Sequence, residues 1–444
     1  MKQLLTALIL SIAMFFIASI AFSTQHSILL AIIVLLVVLW TNEGLPIGVV
    51  SLLPILLFPS FDIMSTSATT ANYSKSIIFL FLGGFMVAIA TQKTNLHKYI
   101  SNKLLTIFPN TPRGIIFSLA ITSAFLSSLI SNTTTALLLI PIAMFLTNDT
   151  KLKVRLVLAI AYGASIGGIV TPIGTPPNLI LLGFMDQHSI EAIPFIKWIL
   201  LTAPLAFLML TLIPFFLSLG VQHLKFDTHL EDREHLTSDQ RRLMYFLGSL
   251  ILLLFVNSKI EPFYSGLGLN EKGILLGYGL LMFMPKIGFL TWEDTKKIPY
   301  EIIFLFGAGF SIAAAFASTG LANEIAHYLL DLVNLPVIFL IILVAALITF
   351  TTEVTSNTAL ISIALPIIYS LGQVADVNMT LILFVSTICA SYAFMLPIAT
   401  PPNAIAMSSG AVKVKDMAKF GLLFNILGII CITVIALVYW QFYL

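Results

Sequence analysis

The stretch SLISNTTTALLLIPIA, Ser128–Ala143, sets a small polar knot inside an apolar run. It returns 225 residues later as EVTSNTALISIALPII, Glu353–Ile368, with the same Ser-Asn-Thr, a similar apolar run and the same proline. Two further pairs share that offset. IIFLFLGGF (Ile77–Phe85) matches IIFLFGAGF (Ile302–Phe310), and TPIGTPPN (Thr171–Asn178) matches LPIATPPN (Leu396–Asn403). Three matches at one spacing make the two halves of the chain copies of one unit.

The knots sit in a chain of 444 residues that is 59% hydrophobic and 9% charged, against roughly 25% charged residues in soluble domains. That composition makes it an all-α integral membrane protein. The net charge of +2 comes without a basic tract suited to nucleic acid. Cys389 and Cys431 lie in apolar segments and suggest neither a disulfide framework nor a zinc site. The opening MKQLLTALILSIAMFFIASIAFS shares a positive start and small late residues with a signal peptide. Its apolar run exceeds the usual h-region of about 7–15 residues, so it reads as a retained first membrane helix.

Apolar runs predict about eleven membrane helices: 3–22, 28–41, 44–58, 76–92, 154–185, 195–221, 242–257, 272–286, 300–318, 378–410 and 418–443. Two further blocks, 114–147 and 335–371, each hold a Ser-Asn-Thr at the middle. The first is flanked by Arg113 and by Lys151, Lys153 and Arg155. Both flanks belong on the cytoplasmic side, so the block crosses an even number of times or not at all. Its arms of about 14–18 residues are short for a span of about 20. A re-entrant hairpin with Ser131-Asn132-Thr133 at its tip fits best, and two short full spans are the alternative. With this topology and a cytoplasmic N-terminus, 18 of the 22 lysines and arginines are cytoplasmic; Lys75, Lys197, Lys259 and Lys272 are outside. Trp40, Trp198, Trp292 and Trp440 fall near span ends and read as an interfacial belt.

The copies run in opposite directions. In the first, the matched helix is followed by Lys93, Lys98 and Lys103; in the second, Lys296 and Lys297 precede it. Inverted repeats with interrupted helices are the signature of a secondary transporter whose site lies at the repeat interface.

Thr-Pro-x-x-Thr-Pro-Pro-Asn cannot continue an α-helix, because each proline lacks an N–H and clashes with the preceding turn. With two hairpin tips this gives four breaks, each followed by a half-helix. Each half-helix N-terminus carries roughly +0.5 of an elementary charge. Four offset on the order of +2, the charge of a dianion. The preceding half-helices end in carbonyls suited to sodium. No lysine or arginine lies in a break, so the anion needs co-bound cations. One such knot is explained by small polar residues gluing helices together; two, each paired with a proline break, are not. Glu353 is the acidic residue nearest a tip. It reads either as an intramembrane cation or proton site or as a carboxylate bonded to backbone. The first copy has Ser128 at the matching place, and that asymmetry favours the structural role.

In these knots and breaks the chain resembles the divalent-anion:sodium symporter family over nearly its whole length. The resemblance implies a homodimer, each protomer with a fixed scaffold and a transport domain that moves as an elevator. On this chain the scaffold maps to 1–112 and 242–334, and the transport domain to 113–225 and 335–444. A cytoplasmic linker, 226–241, joins the halves. The resemblance implies one sodium site from Ser127, Ser131, Asn132 and Gly174, and its mate from Thr352, Thr355, Asn357 and Ala399. It places the anion against Ser131, Asn132, Thr133, Thr175, Ser356, Asn357, Thr358, Thr400 and Pro401. Threonine third in both knots is similar to the carboxylate-transporting branch, so succinate, malate and fumarate lead. Citrate, sulfate and an exchange mode stay open. A plasma or bacterial inner membrane is the implied location, with no cofactor beyond sodium as coupling ion.

A membrane enzyme needs a nucleophile with a base or metal. None of the seven histidines lies near a tip, and no paired intramembrane carboxylates occur. A channel favours rings about an axis, which an inverted pair does not supply.

Overall fold

The computed structural model describes residues 2–42, 44–224, 235–258, 264–328, 336–374 and 378–444. Among the described residues six helical stretches are long and apolar enough to cross a membrane: Thr24–Asn42, Thr66–Lys93, Thr150–Val170, Phe195–Ser218, Tyr300–Thr319 and Val414–Tyr443. Shorter apolar helices fill the spaces between them.

The offset of 225 carries into the helix boundaries. One hairpin has arms Pro112–Ser127 and Asn132–Leu146, and the other has Val337–Thr352 and Asn357–Val374. Shifted by 225, the first arm of one becomes the first arm of the other, residue for residue. Arms of 15 to 18 residues reach about 22–27 Å at 1.5 Å per residue, short of a core of about 30 Å. The interrupted helices are Thr150–Val170 with Pro176–Gln187, and Met379–Ala390 with Pro401–Ser408. Both restart with proline in the first turn, where its missing N–H costs nothing.

The two copies interlock. Asn132–Leu146, which starts at the first knot, packs against Pro401–Ser408, which starts at the second break. Its counterpart Asn357–Val374 packs against Pro176–Gln187. The largest apolar core lies among the hairpins, the broken helices, Phe195–Ser218 and Val414–Ile435. A second gathers Leu36, Trp40, Phe58, Ala308 and Phe316; a third gathers Met86, Leu96, Leu243 and Met282. Helices Ser76–Lys93 and Glu271–Leu281 meet backbone to backbone: a Cβ on Gly83 would lie 2.3 Å from the Leu275 carbonyl oxygen.

Several boundaries differ from the sequence expectation. The 44–58 run is two short helices, Ile47–Val50 and Leu53–Ser60, because Pro54 cannot donate to the turn before it. The 272–286 run is helical only over Glu271–Leu281. Hydropathy passed over Leu96–Ile107, a lysine-bearing helix. The helix expected at 242–257 starts earlier: Thr237 caps it at Ser238–Asn257 through a capping box with Gln240. Residues 225–234, with Lys225 and Arg233, lie outside the described residues, as does Lys259.

The tryptophan belt is overturned at three of its four positions. Trp198 and Trp440 are fully buried and Trp40 nearly so; Trp292 is exposed. Trp198 donates to the Ile169 carbonyl at 3.0 Å and Trp440 to the Leu201 carbonyl at 2.8 Å. Phe384 stacks edge-on between the two indoles. Their rings fill the core because each N–H finds a helix carbonyl inside the protein.

Candidate functional site

Each knot opens a helix. Ser131 is the N-cap of Asn132–Leu146; its hydroxyl accepts from the Thr134 N–H at 3.2 Å. Behind the cap, the Ser127 hydroxyl donates to the Asn132 amide oxygen. The second copy repeats this bond with other residues: Thr352 donates to the Asn357 amide oxygen at 2.6 Å. The same hydroxyl lies 2.9 Å from the Ala390 carbonyl, and its single proton is shared between them. In both copies the hairpin's last helical hydroxyl orients the asparagine of its own tip.

The breaks are closed by their terminal asparagines. Asn178 donates to the carbonyls of Gly168, at 3.1 Å, and Thr171, at 2.8 Å. Asn403 donates to those of Ala393, at 2.9 Å, and Leu396, at 3.1 Å. Donor and acceptors all correspond under the offset of 225. Both asparagines are fully buried, and neither amide oxygen has a protein partner. In the first copy Trp198 and Thr202 take the next carbonyls, Ile169 and Val170. The carbonyls expected to be free for sodium therefore already hold one donor each. A second lone pair remains on each.

Gly168 is where the first set converges. A Cβ there would lie 3.0 Å from the Asn132 amide oxygen and 3.3 Å from the Thr175 Cβ; one on Gly174 would lie 2.5 Å from the Gly168 carbonyl oxygen. Asn132, Gly174 and Thr175 thus surround one backbone position, with Ser127 joined to it through Asn132. Ser131 stands apart at the exposed tip. In the second set Thr352 and Asn357 are joined directly, whereas the Thr355 hydroxyl is spent on the Thr351 carbonyl. Ala399 and Thr400 are buried beside the exposed Pro401, and Thr400 caps its helix through the Asn403 N–H at 3.4 Å. Among the described residues no hydrogen bond joins one tip to the other. The two are tied by the crossed packing of their helices.

Among the described residues the hydroxyls of Thr133, Thr175, Ser356 and Thr358 have no hydrogen-bonding protein partner. These four hydroxyls, at the starts of three of the four half-helices, can donate to anion oxygens. Sequence reasoning missed Thr134, whose hydroxyl bonds Ser131 at 2.8 Å and accepts from Gln92 at 3.4 Å. It also passed over the donor role of Asn178 and Asn403, although both end the quoted motifs.

Glu353 is 3% exposed. Its carboxylate accepts the N–H groups of Phe394, Met395 and Leu396 at 2.8, 2.9 and 2.9 Å and the Asn425 amide at 2.7 Å. This is the carboxylate bonded to backbone that the asymmetry with Ser128 favoured.

The sequence pattern of a citrate transporter family matches residues 35–389. The sodium-dependent dicarboxylate transporter SdcS of Staphylococcus aureus is 31% identical over 445 residues, covering 91% of this chain and 84% of its own. The protein of that name from Staphylococcus saprophyticus is 29% identical over 452 residues, covering 93% and 86%. Two solved structures share the fold. The Neisseria gonorrhoeae antimetabolite efflux pump MtrF matches with a TM-score of 0.60 at 14% identity, over 94% of this chain and 95% of its own. The Alcanivorax borkumensis YdaH transporter matches with a TM-score of 0.58 at 13% identity, over 84% and 87%. The chain therefore belongs to this transporter family, the divalent-anion:sodium symporters that its doubled motifs resemble, and is not an enzyme.

Proposed function

We propose that the protein is a sodium-coupled symporter that imports C4-dicarboxylates. The observation that carries this is the paired hydroxyl-to-asparagine bond, Ser127 to Asn132 and Thr352 to Asn357. Each bond holds an amide beside a helix start. Each amide can then serve a cation with one face and an anion oxygen with the other. The name of the Staphylococcus aureus relative supports the substrate class. Citrate is the second reading, favoured by the description of the matching family.

The first cation site is Ser127, Ser131, Asn132 and Gly174, and the second is Thr352, Thr355, Asn357 and Ala399. The dianion lies between them, against Ser131, Asn132, Thr133, Thr175, Ser356, Asn357, Thr358, Thr400 and Pro401. With no arginine or lysine in a break, the half-helix dipoles hold the anion weakly until sodium adds its charge. That dependence is the coupling.

In this reading the chain divides into a scaffold (1–112, 242–334) and a transport domain (113–225, 335–444), and the third apolar core, with Met86, Leu96, Leu243 and Met282, lies wholly within the scaffold. In this reading the transport domain moves as an elevator within a homodimer, and the N-terminus is cytoplasmic.

The test is uptake of labelled succinate into proteoliposomes with and without an inward sodium gradient. Accumulation that requires sodium, suppressed by excess malate but not by sulfate, is expected. Uptake only into vesicles preloaded with dicarboxylate would replace symport by exchange, and indifference to succinate with uptake of citrate would replace the substrate.

A further inference from the structure

The two copies are not broken alike. The first interrupted helix runs to Val170 and resumes at Pro176; the second stops at Ala390 and resumes at Pro401. Shifted by 225, Val170 falls on Met395, so the second helix unwinds five residues early. Glu353 accounts for the difference. Its carboxylate takes the N–H groups of Phe394, Met395 and Leu396, which helical bonding would otherwise occupy. Ser128 makes no such bonds; its hydroxyl returns to the Phe125 carbonyl. The small residues follow suit. Gly168 and Gly174 crowd together in the tight first break, whereas the looser second break holds Ala393 and Ala399 at the same places.

Among the described residues Glu353 forms no ion pair, although it is buried. A buried carboxylate without a cation is costly, and hydrogen bonds offset only part of that. Glu353 directly follows Thr352, the residue that orients Asn357.

We propose that Glu353 is a positioning residue that makes the two sodium sites unequal: it shapes the open second break and sets a fixed negative charge beside Thr352, Thr355, Asn357 and Ala399, so that this site binds sodium more tightly than its mate. The inference rests on the sodium-site reading above. No proton or bond is exchanged; Glu353 acts through charge and backbone placement.

The test is sodium-dependent thermal stabilisation of the purified full-length protein, with choline as the balancing ion. Glu353→Gln is expected to need about tenfold more sodium for the same shift, because a unit charge at short range is lost. Glu353→Asp, which keeps the charge, is expected to stay within about threefold of the wild type. Glu353→Gln with the wild-type sodium requirement overturns the inference and leaves the sodium sites standing. A wild-type protein indifferent to sodium overturns both. If Glu353→Gln does not fold, Glu353→Asp decides: loss of its sodium response refutes the role of charge. Failure of both variants to fold reduces Glu353 to a structural residue and also overturns the inference.

Discussion

The Thr352 hydroxyl lies 2.6 Å from the amide oxygen of Asn357 and donates to it, across the tip of the second hairpin. The bond fixes which face of the amide meets the proposed cation site. Thr352→Val keeps the shape and removes the donor. It is expected to raise the sodium concentration for half-maximal succinate uptake about tenfold, roughly the value of one hydrogen bond. Thr352→Ser is expected to restore it. Asn132→Ala and Asn357→Ala remove the amide itself, and uptake is expected to fall to background with expression unchanged. Normal uptake by either asparagine variant would refute the site.

Asn178 and Asn403 each hold two backbone carbonyls across a proline break. Alanine at either position leaves two buried acceptors short of a donor, at a cost of about 1–3 kcal/mol each. Lower thermal stability in detergent and loss of uptake are expected together. Aspartate cannot donate as asparagine does, so it is expected to fail as badly as alanine.

Polar contacts cross between the proposed scaffold and transport domain at several places, one of them the edge at Lys272. Lys272 reaches Asp186 at 2.9 Å, and Glu271 accepts the Phe195 N–H at 2.9 Å. A moving transport domain breaks these bonds in each cycle. Lys272→Gln is expected to raise the maximal uptake rate about two- to threefold, in line with a half-exposed ion pair worth less than about 1 kcal/mol. A lower or unchanged rate would show that this edge does not limit the motion.

Thr150 is exposed beside the Asp149 cap that opens the first interrupted helix. A cysteine placed there is expected to react with a membrane-impermeant reagent from the cytoplasmic side only. Cys389 and Cys431 are buried and give little background. Labelling from outside would overturn the orientation and the re-entrant reading together.

Asp294 lies outside the spans, held by Lys93 and by the Thr291 N–H. These donors push its carboxyl well below the usual carboxylate range. A lowered folded-state pKa stabilises fully above the unfolded value of about 4 and is lost as pH falls toward the folded value. Asp294→Asn is therefore expected to lower the unfolding temperature by a few degrees at neutral pH. The gap to the wild type should close as the pH is taken below about 4. A gap that persists in acid would mean the loss comes from packing, not charge.

What could be read in advance was what is local. Proline and the Ser-Asn-Thr caps act within a few residues, so the breaks and hairpin arms fell where the repeated motifs put them. The direction of Trp198 was not local: whether an indole at a span end faces lipid or core depends on which carbonyl a distant helix offers it. The donor role of Asn178 was likewise hidden, because it needs the chain to fold back on Gly168. Leu96–Ile107 escaped a hydropathy reading because its lysines dilute the apolar signal. For Glu353, the mismatch with Ser128 separated backbone bonding from a proton site before any geometry was known.

Gly83 and Gly279 leave no room for a methyl group between helices Ser76–Lys93 and Glu271–Leu281. Two backbones in such contact cannot slide past one another without leaving that contact. In the proposed elevator the pair is the stator, and the energy of the ion gradient is spent on the face that lacks such a lock. Direction of travel, on this view, is written into glycine as much as into charge: a single methyl group at position 83 would loosen the wall against which the cargo is lifted.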